Sequence, residues 1–526
     1  MSKWRIAGLV LAALLAIWLI LRGCAPQHED ERAAQTPVPA REVFHTSKPL
    51  RVIVTRPGTS IAQPSPDEWL ERELRYLLIR GRMRIAAIDP SLPRPFTLQI
   101  ELPRAVNTSA STPASTAIKL SLQAPDGKVE RGTAIELNSG PGQAPGALEI
   151  MQALAKQLPV FLGATRIAAD SGVDWTGFIG TDDAAAYDSF LSSANELLGS
   201  QGTGFTASSA PPRSIAVERL EGLTRKHRNF TRAQALLSVG YASLGGKDDA
   251  SLTELAASNA QRALATDHSL ATAQSALGLV GLRRGDWATA LEQFNAALAL
   301  DANSPVALEG LACLLIDVGQ AEAALPVAQR AIALQPANVG ARECLAYARL
   351  ATGQGSDPST SSPTTTHEPL EVAQANALHA LLSGDTHQAQ RTLSGSLRTR
   401  DAAWVDPVLQ AASDRNRISL ALQAITRAAS DRTIDAVTEL VCGTALRQAD
   451  FVFNRMLRLH RQNEPVPLRL LWLPHTEFLR RHARFAEIVD AEALPAFWQD
   501  HGLPDYCAHE PAVYGCKPRV NGVKAH

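Results

Sequence analysis

ATAQSALGLVGLRRGDWATALEQFNAALALDANS (residues 271–304) runs directly into PVALEGLACLLIDVGQAEAALPVAQRAIALQPAN (residues 305–338), and both carry one pattern with a period of 34 residues. Leu277, Gly278, Gly285, Ala290, Phe294 and Ala297 in the first become Leu311, Ala312, Gly319, Ala324, Ala328 and Ala331 in the second, which closes on Pro336. A period of this length belongs to a helix–turn–helix unit that cannot bury its apolar face alone and must stack on its neighbours. Small residues stand where the paired helices touch, and glycine stands at the tight turn between them.

The pattern resembles the tetratricopeptide repeat, which implies a superhelix of helical hairpins that binds a protein or peptide. Downstream, Leu345, Ala346 and Gly353 fall on the first-helix positions of a third unit. Residues 353–369, rich in Ser, Thr, Pro and Gly, read as a linker or inserted loop. Ala377, Gly384, Ala389 and Leu393 then resume the register. Upstream, Ala256, Ala260 and Ala263 match a second helix, and Ala235 to Leu244 its first helix if residues 245–249 are a short insertion.

The segment before the repeats has another texture. Arg51 to Val54 reads as a strand, and Ser65-Pro66-Asp67-Glu68 as a capping box opening a helix with Trp69, Leu70, Leu74, Leu77 and Leu78 on one face. Phe96, Leu98, Ile100 and Leu102 alternate, as do Ile118, Leu120 and Leu122. Pro125-Asp126-Gly127 supplies a turn into a strand over Val129 to Leu137, and Ala144 to Leu162 reads as an amphipathic helix. These elements predict a compact α+β domain. Its plan is similar to the amino-terminal domain of TolB. That domain and the repeats together resemble the exported part of CadC-type activators and some adenylate-cyclase-associated bacterial proteins. Gly180-Thr181-Asp182, Ala186-Tyr187-Asp188, Arg484-Phe485, Trp498 and Pro504-Asp505-Tyr506-Cys507 carry the resemblance at the two ends of the repeats. The winged-helix DNA-binding domain of the CadC type and a cyclase domain have no counterpart in this sequence.

At the amino terminus, Ile6 to Leu21 is an uninterrupted apolar run preceded by Lys3 and Arg5. It reads as a single membrane helix with a cytoplasmic amino terminus. A cleaved signal peptide is the competing reading. Leu21-Arg22-Gly23-Cys24 partly resembles a lipoprotein box, which would lipidate Cys24. The expected organisation is an anchor over 1–24, a stalk over 25–48, and the α+β domain over 49–165. A connecting helical region over 166–230, repeats over 231–400 and a carboxyl-terminal helical region and tail over 401–526 would follow. The fold class is thus an α+β domain followed by an all-α repeat superhelix, placed in the periplasm on the inner membrane.

A net charge of −1 over 526 residues gives no electrostatic case for nucleic acid. Six cysteines in this length are not a disulfide scaffold. Cys507 and Cys516 could pair in an oxidising compartment, while Cys313, Cys344 and Cys442 fall in helical patterns as buried small apolar residues. No phosphate loop, zincin helix, nucleophile elbow or zinc-spaced cysteine pair occurs. Asp182 and Asp183 read as helix-capping rather than catalytic carboxylates, and His475 and His482, seven apart, as no fixed metal site. No enzyme activity, cofactor or metal is therefore expected. Counting the inward positions of the first helices gives a partner-binding groove of Ser275, Leu279, Leu282, Glu309, Ile316, Glu343 and Tyr347, with Cys313 and Leu350 beside it. This set is apolar with two carboxylates, and suits a helix or extended peptide with apolar anchors and a basic residue. The function expected is a membrane-tethered periplasmic adaptor. A sensory component of a transmembrane signalling system, or an enzyme of unrecognised type, is the alternative.

Overall fold

The computed structural model describes residues 49–55, 68–86 except 82 and 84, 94–103, 117–137, 145–163, 177–198, 213–244, 250–355, 370–395 and 403–516. The expected anchor, stalk and Cys24 lie outside the described residues, as does the Ser65–Asp67 part of the capping box. Among the described residues no helix is long and apolar enough to cross a membrane.

Four strands form one mixed sheet in the order β1 (Leu50–Thr55), β2 (Phe96–Glu101), β3 (Ala117–Gln123), β4 (Val129–Glu136). β1 and β2 are parallel, with Leu50 opposite Phe96, and the other two pairings are antiparallel. Strict alternation puts Leu98, Ile100, Ile118, Leu120 and Leu122 on the buried face. Helix α1 (Glu68–Arg80) adds Leu70, Leu74, Leu77 and Leu78 to the same core, and α2 (Ala147–Phe161) adds Met151, Leu154 and Leu158. Two residues of α3 (Ala184–Leu198) receive its N-cap: Asp183 Oδ1 accepts from the amides of Ala185 and Ala186.

Helical hairpins follow: α4 (Arg213–Lys226), α5 (Thr231–Leu244), α6 (Ala250–Thr266), α7 (Ala271–Arg284), α8 (Trp287–Leu300), α9 (Pro305–Asp317), α10 (Ala321–Leu334) and α11 (Val339–Ala351). Several starts and stops are written in the local sequence. Ser304 caps α9 ahead of Pro305, Asn338 caps α11, and Asp286 caps α8. Gly285, Gly319 and Gly353, 34 residues apart, take φ of 69°, 85° and 72° at the turns that end first helices. Phe294 interlocks the stack. A β-carbon on Gly278 of α7 would lie 2.5 Å from its ring, and one on Gly310 of α9 2.3 Å, so only glycine lets the two first helices close on it. Ala290 and Ala297 beside it, and Ala324, Ala328 and Ala331 one period later, are buried as the pattern predicts.

The third unit departs from the pattern. After α11 the next described helix is α12 (Leu370–Ser383), which packs on α11 directly and pairs with α13 (Thr386–Gly395). The carboxyl-terminal region carries further hairpins: α14 (Val405–Ser413) with α15 (Ile418–Ser430), and α16 (Ala436–Ala445) with α17 (Ala449–Arg461). The turn from α16 to α17 copies those before it. Arg447 N and Gln448 N donate to the carbonyls of Thr444 and Gly443, as Gly285 N and Asp286 N do to those of Leu282 and Gly281. Beyond α17 the chain forms short pieces: 3-10 turns at Leu468–Leu471 and Pro474–Thr476, then α18 (Glu477–Arg480), α19 (Phe485–Ala491), α20 (Leu494–His501) and a turn at Asp505–Ala508. An aromatic cluster of Trp472, Phe485, Trp498 and Tyr506 holds them together.

Candidate functional site

The repeats present two edges, and the chain itself occupies both. On one edge the turns between units carry Asp267, Asp301 and Gln335, again 34 residues apart. Arg80 of α1 pairs with Asp267, Arg75 lies 3.5 Å from Asp301, and Gln335 Nε2 donates to the Leu198 carbonyl at the end of α3. Asn303 Nδ2 donates to Ala86 O, and Tyr76 meets Thr272. Behind these contacts Glu73 of α1 is fully buried between Arg232, which donates to it at 2.7 Å, and the Tyr187 hydroxyl at 2.6 Å. Burial pulls the Arg232 guanidinium down, but Glu73 outweighs it and leaves the group above its ordinary value. The Phe178 ring, 4.3 Å away, covers one face of that guanidinium. The α+β domain and the repeats are thus joined by a buried, hydrogen-bonded charge pair.

The segment after α17, here the carboxyl-terminal arm, takes the other edge. Trp287 Nε1 donates to Glu492 O, Trp472 Nε1 to Asp317 O, and Trp498 Nε1 to Val318 O. Gln320 donates to the His501 and Gly502 carbonyls, and Asp505 accepts from the amide of Glu322. Gly319 makes the approach possible, since a β-carbon there would sit 2.8 Å from Pro504.

From this edge Arg469 reaches in to the first-helix face. Its Nε and Nη2 donate to the two carboxylate oxygens of Asp317 at 3.0 and 3.1 Å, and Nη1 donates to Glu343 at 2.7 Å. The guanidinium stands 5.5 Å from the Tyr347 ring centre. Burial pushes the Glu343 carboxyl up to about 7 against the pull of Arg469, with Glu371, Asp317 and Glu309 adding like charge. Burial likewise holds Asp317 above the usual carboxylate range despite Arg469. Tyr347 Oη and Glu371 Oε1 are buried without a hydrogen-bond partner, so the seat is not fully satisfied.

These contacts decide where the expected groove residues lie. Ser275, Leu279, Glu309, Ile316, Glu343 and Tyr347 are all buried, as are Cys313 and Leu350, and Leu282 alone is partly exposed. Ser275 lies 3.3 Å from the Ser304 hydroxyl, and Glu309 accepts from Asn338, so both serve the packing of neighbouring units. Glu343 and Tyr347 do meet a basic side chain, but it is the chain's own Arg469. Sequence reasoning missed Arg469, Asp317 and Trp472 because the pairings span 126 to 155 positions and no periodicity connects them.

Cys507 and Cys516 form a disulfide in the tail. Cys313 and Cys344 form another, which corrects their reading as plain buried apolar residues, while Cys442 is buried and free. Their separation of 31 is one repeat less about one helical turn, and this sets them face to face on α9 and α11. Among the described residues no group of three His, Cys, Asp or Glu side chains is arranged to hold a metal ion. No protein-family model matches the chain, and no curated protein is significantly similar to it.

Proposed function

We propose that the protein is a membrane-tethered adaptor of the bacterial cell envelope, built from tetratricopeptide-type hairpins behind a TolB amino-terminal-like domain. Its partner is a protein or peptide segment that replaces the carboxyl-terminal arm on the first-helix face. The arm's seat carries this reading. One arginine from a distant segment is held by two carboxyls that burial disfavours as anions, beside a tyrosine hydroxyl and a glutamate oxygen left unmet. A segment that brings an arginine and also satisfies those two atoms would bind there better than the arm does. Two disulfides support an oxidising compartment. The apolar run after Lys3 and Arg5 supports the tether, which would raise the effective concentration of modest contacts at the membrane.

The test is site-specific photo-cross-linking from position 282 in native membranes, in the wild type and in Arg469→Glu, which repels the seat. A partner captured more strongly in Arg469→Glu supports the proposal. A partner captured equally in both variants, or none in either, removes the first-helix face as the working surface.

A further inference from the structure

Three first-to-second-helix turns, at Gly285, Gly319 and Gly384, meet their left-handed position with glycine, and the turn from α16 to α17 meets it with Arg447 at φ 57°. A side chain in that conformation is strained. Nothing in the turn asks for it, because the same pair of backbone hydrogen bonds forms with glycine elsewhere. Arg432 and Asn463, also at positive φ, follow α15 and α17 with the same pair of bonds, but neither stands between the two helices of a hairpin.

What the arginine gains is a position at an open cleft of about 510 Å³, shared with His475, Glu477, Phe478, Arg481 and His482. Its exposed guanidinium lies 5.6 Å from the Phe478 ring centre, and no carboxylate among the described residues pairs with it. Arg481 pairs with Glu477, the one acid in the lining, and His482 lies 3.4 Å from Asp450 and stacks on Phe453. His475 has no hydrogen-bond partner among the described residues. The cleft thus gathers two guanidinium groups and the open imidazole of His475, with Glu477 on Arg481, Asp450 on His482 and an aromatic wall to orient Arg447.

We infer that this cleft binds a phosphate-type oxyanion, with the Arg447 fork as its main ligand and Arg481 and His475 as further donors. A planar guanidinium matches two oxygens of such a group, and two arginines suit more than one negative charge. All of its lining except Arg447 comes from the arm, so it exists while the arm is docked, and it does not rest on the adaptor reading.

The test uses the full chain in detergent, titrated with inorganic phosphate at low ionic strength and followed by heat and by the histidine ring resonances. Vesicles of phosphatidylcholine with and without phosphatidylglycerol form a second arm. The wild type should bind phosphate saturably, and Arg447→Gly should weaken it tenfold or more, about 1.4 kcal/mol. The same variant should hold its Tm or gain up to about 2 °C, because glycine relieves the turn. Arg481→Ala should weaken binding as well. If phosphatidylglycerol vesicles are retained by the wild type and lost with Arg447→Gly, the oxyanion comes from a lipid headgroup; retention of free phosphate alone gives a soluble ligand. Unchanged binding in Arg447→Gly, a fall of several degrees in its Tm, or no saturable response to either probe would overturn the inference.

Discussion

Replacing Arg469 with alanine is the most informative single change in the arm. It removes two hydrogen bonds of 3.0 and 3.1 Å from Asp317 and one of 2.7 Å from Glu343, all buried. Breaking a buried ion pair from one side costs about 3–5 kcal/mol, because the remaining charge is left without a partner. Part of that is relieved here. With its carboxyl already at about 7, Glu343 takes up a proton once the guanidinium has gone, which leaves Asp317 as the main unpaired charge. The expected loss is therefore at the lower end, about 3 kcal/mol, and it falls mainly on docking of the arm. That raises the population of the undocked arm roughly a hundredfold. Native-state hydrogen exchange over residues 464–476, with limited proteolysis alongside, reads it directly. The triple variant Arg469→Met/Asp317→Asn/Glu343→Gln removes charge and partner together and should recover most of the loss. A loss under about 1 kcal/mol for Arg469→Ala, or a triple variant as weakened as the single one, would refute the reasoning.

Other outcomes follow from the same geometry. The Glu343 carboxyl titrates higher in the folded protein than in the unfolded chain, so its stabilising effect is full below about pH 4.5 and is lost as pH rises through about 7. Glu343→Gln should therefore flatten the decline in stability between pH 5 and 8, worth about 1–3 kcal/mol, as denaturant melts at both pH values will show. Gly319→Ala places a β-carbon against Pro504 at φ 85°, whereas Gly353→Ala at φ 72° meets open space. The first should cost about 1–2 kcal/mol more than the second in chemical denaturation. Cys313→Ser/Cys344→Ser should cost about 2–4 kcal/mol, and non-reducing peptide mapping of the wild type should find both disulfides. Arg232→Met strands Glu73 in the domain junction and should cost about 3–5 kcal/mol, read by thermal melting.

Local signals were legible in the sequence and long-range ones were not. Ser304-Pro305, Asn338 and Gly285 fix helix ends through bonds to their near neighbours, so the hairpins at 271–338 could be read directly. The alternation at Leu98–Ile100 and Ile118–Leu122 likewise marks the sheet, although the parallel pairing of β1 with β2 depends on a crossover that no local pattern encodes. The groove residues were placed on the correct helices, but an inward position says nothing about what lies over it. Tyr347 and Glu343 meet Arg469, which returns from more than a hundred residues away. The Cys313–Cys344 pair could have been found by setting the 34-residue period against the separation of 31. Arg447 could have been noticed too, as the residue standing where Gly285, Gly319 and Gly384 stand in their own turns.

The account turns on whether the arm and a partner compete for one face. Quantitative photo-cross-linking from position 282 in native membranes, comparing wild type with Arg469→Glu, measures that competition. The account predicts one partner whose yield rises severalfold when the arm is repelled from Asp317 and Glu343. A yield that stays the same or falls would mean that the arm is a permanent part of the fold and that partners bind elsewhere.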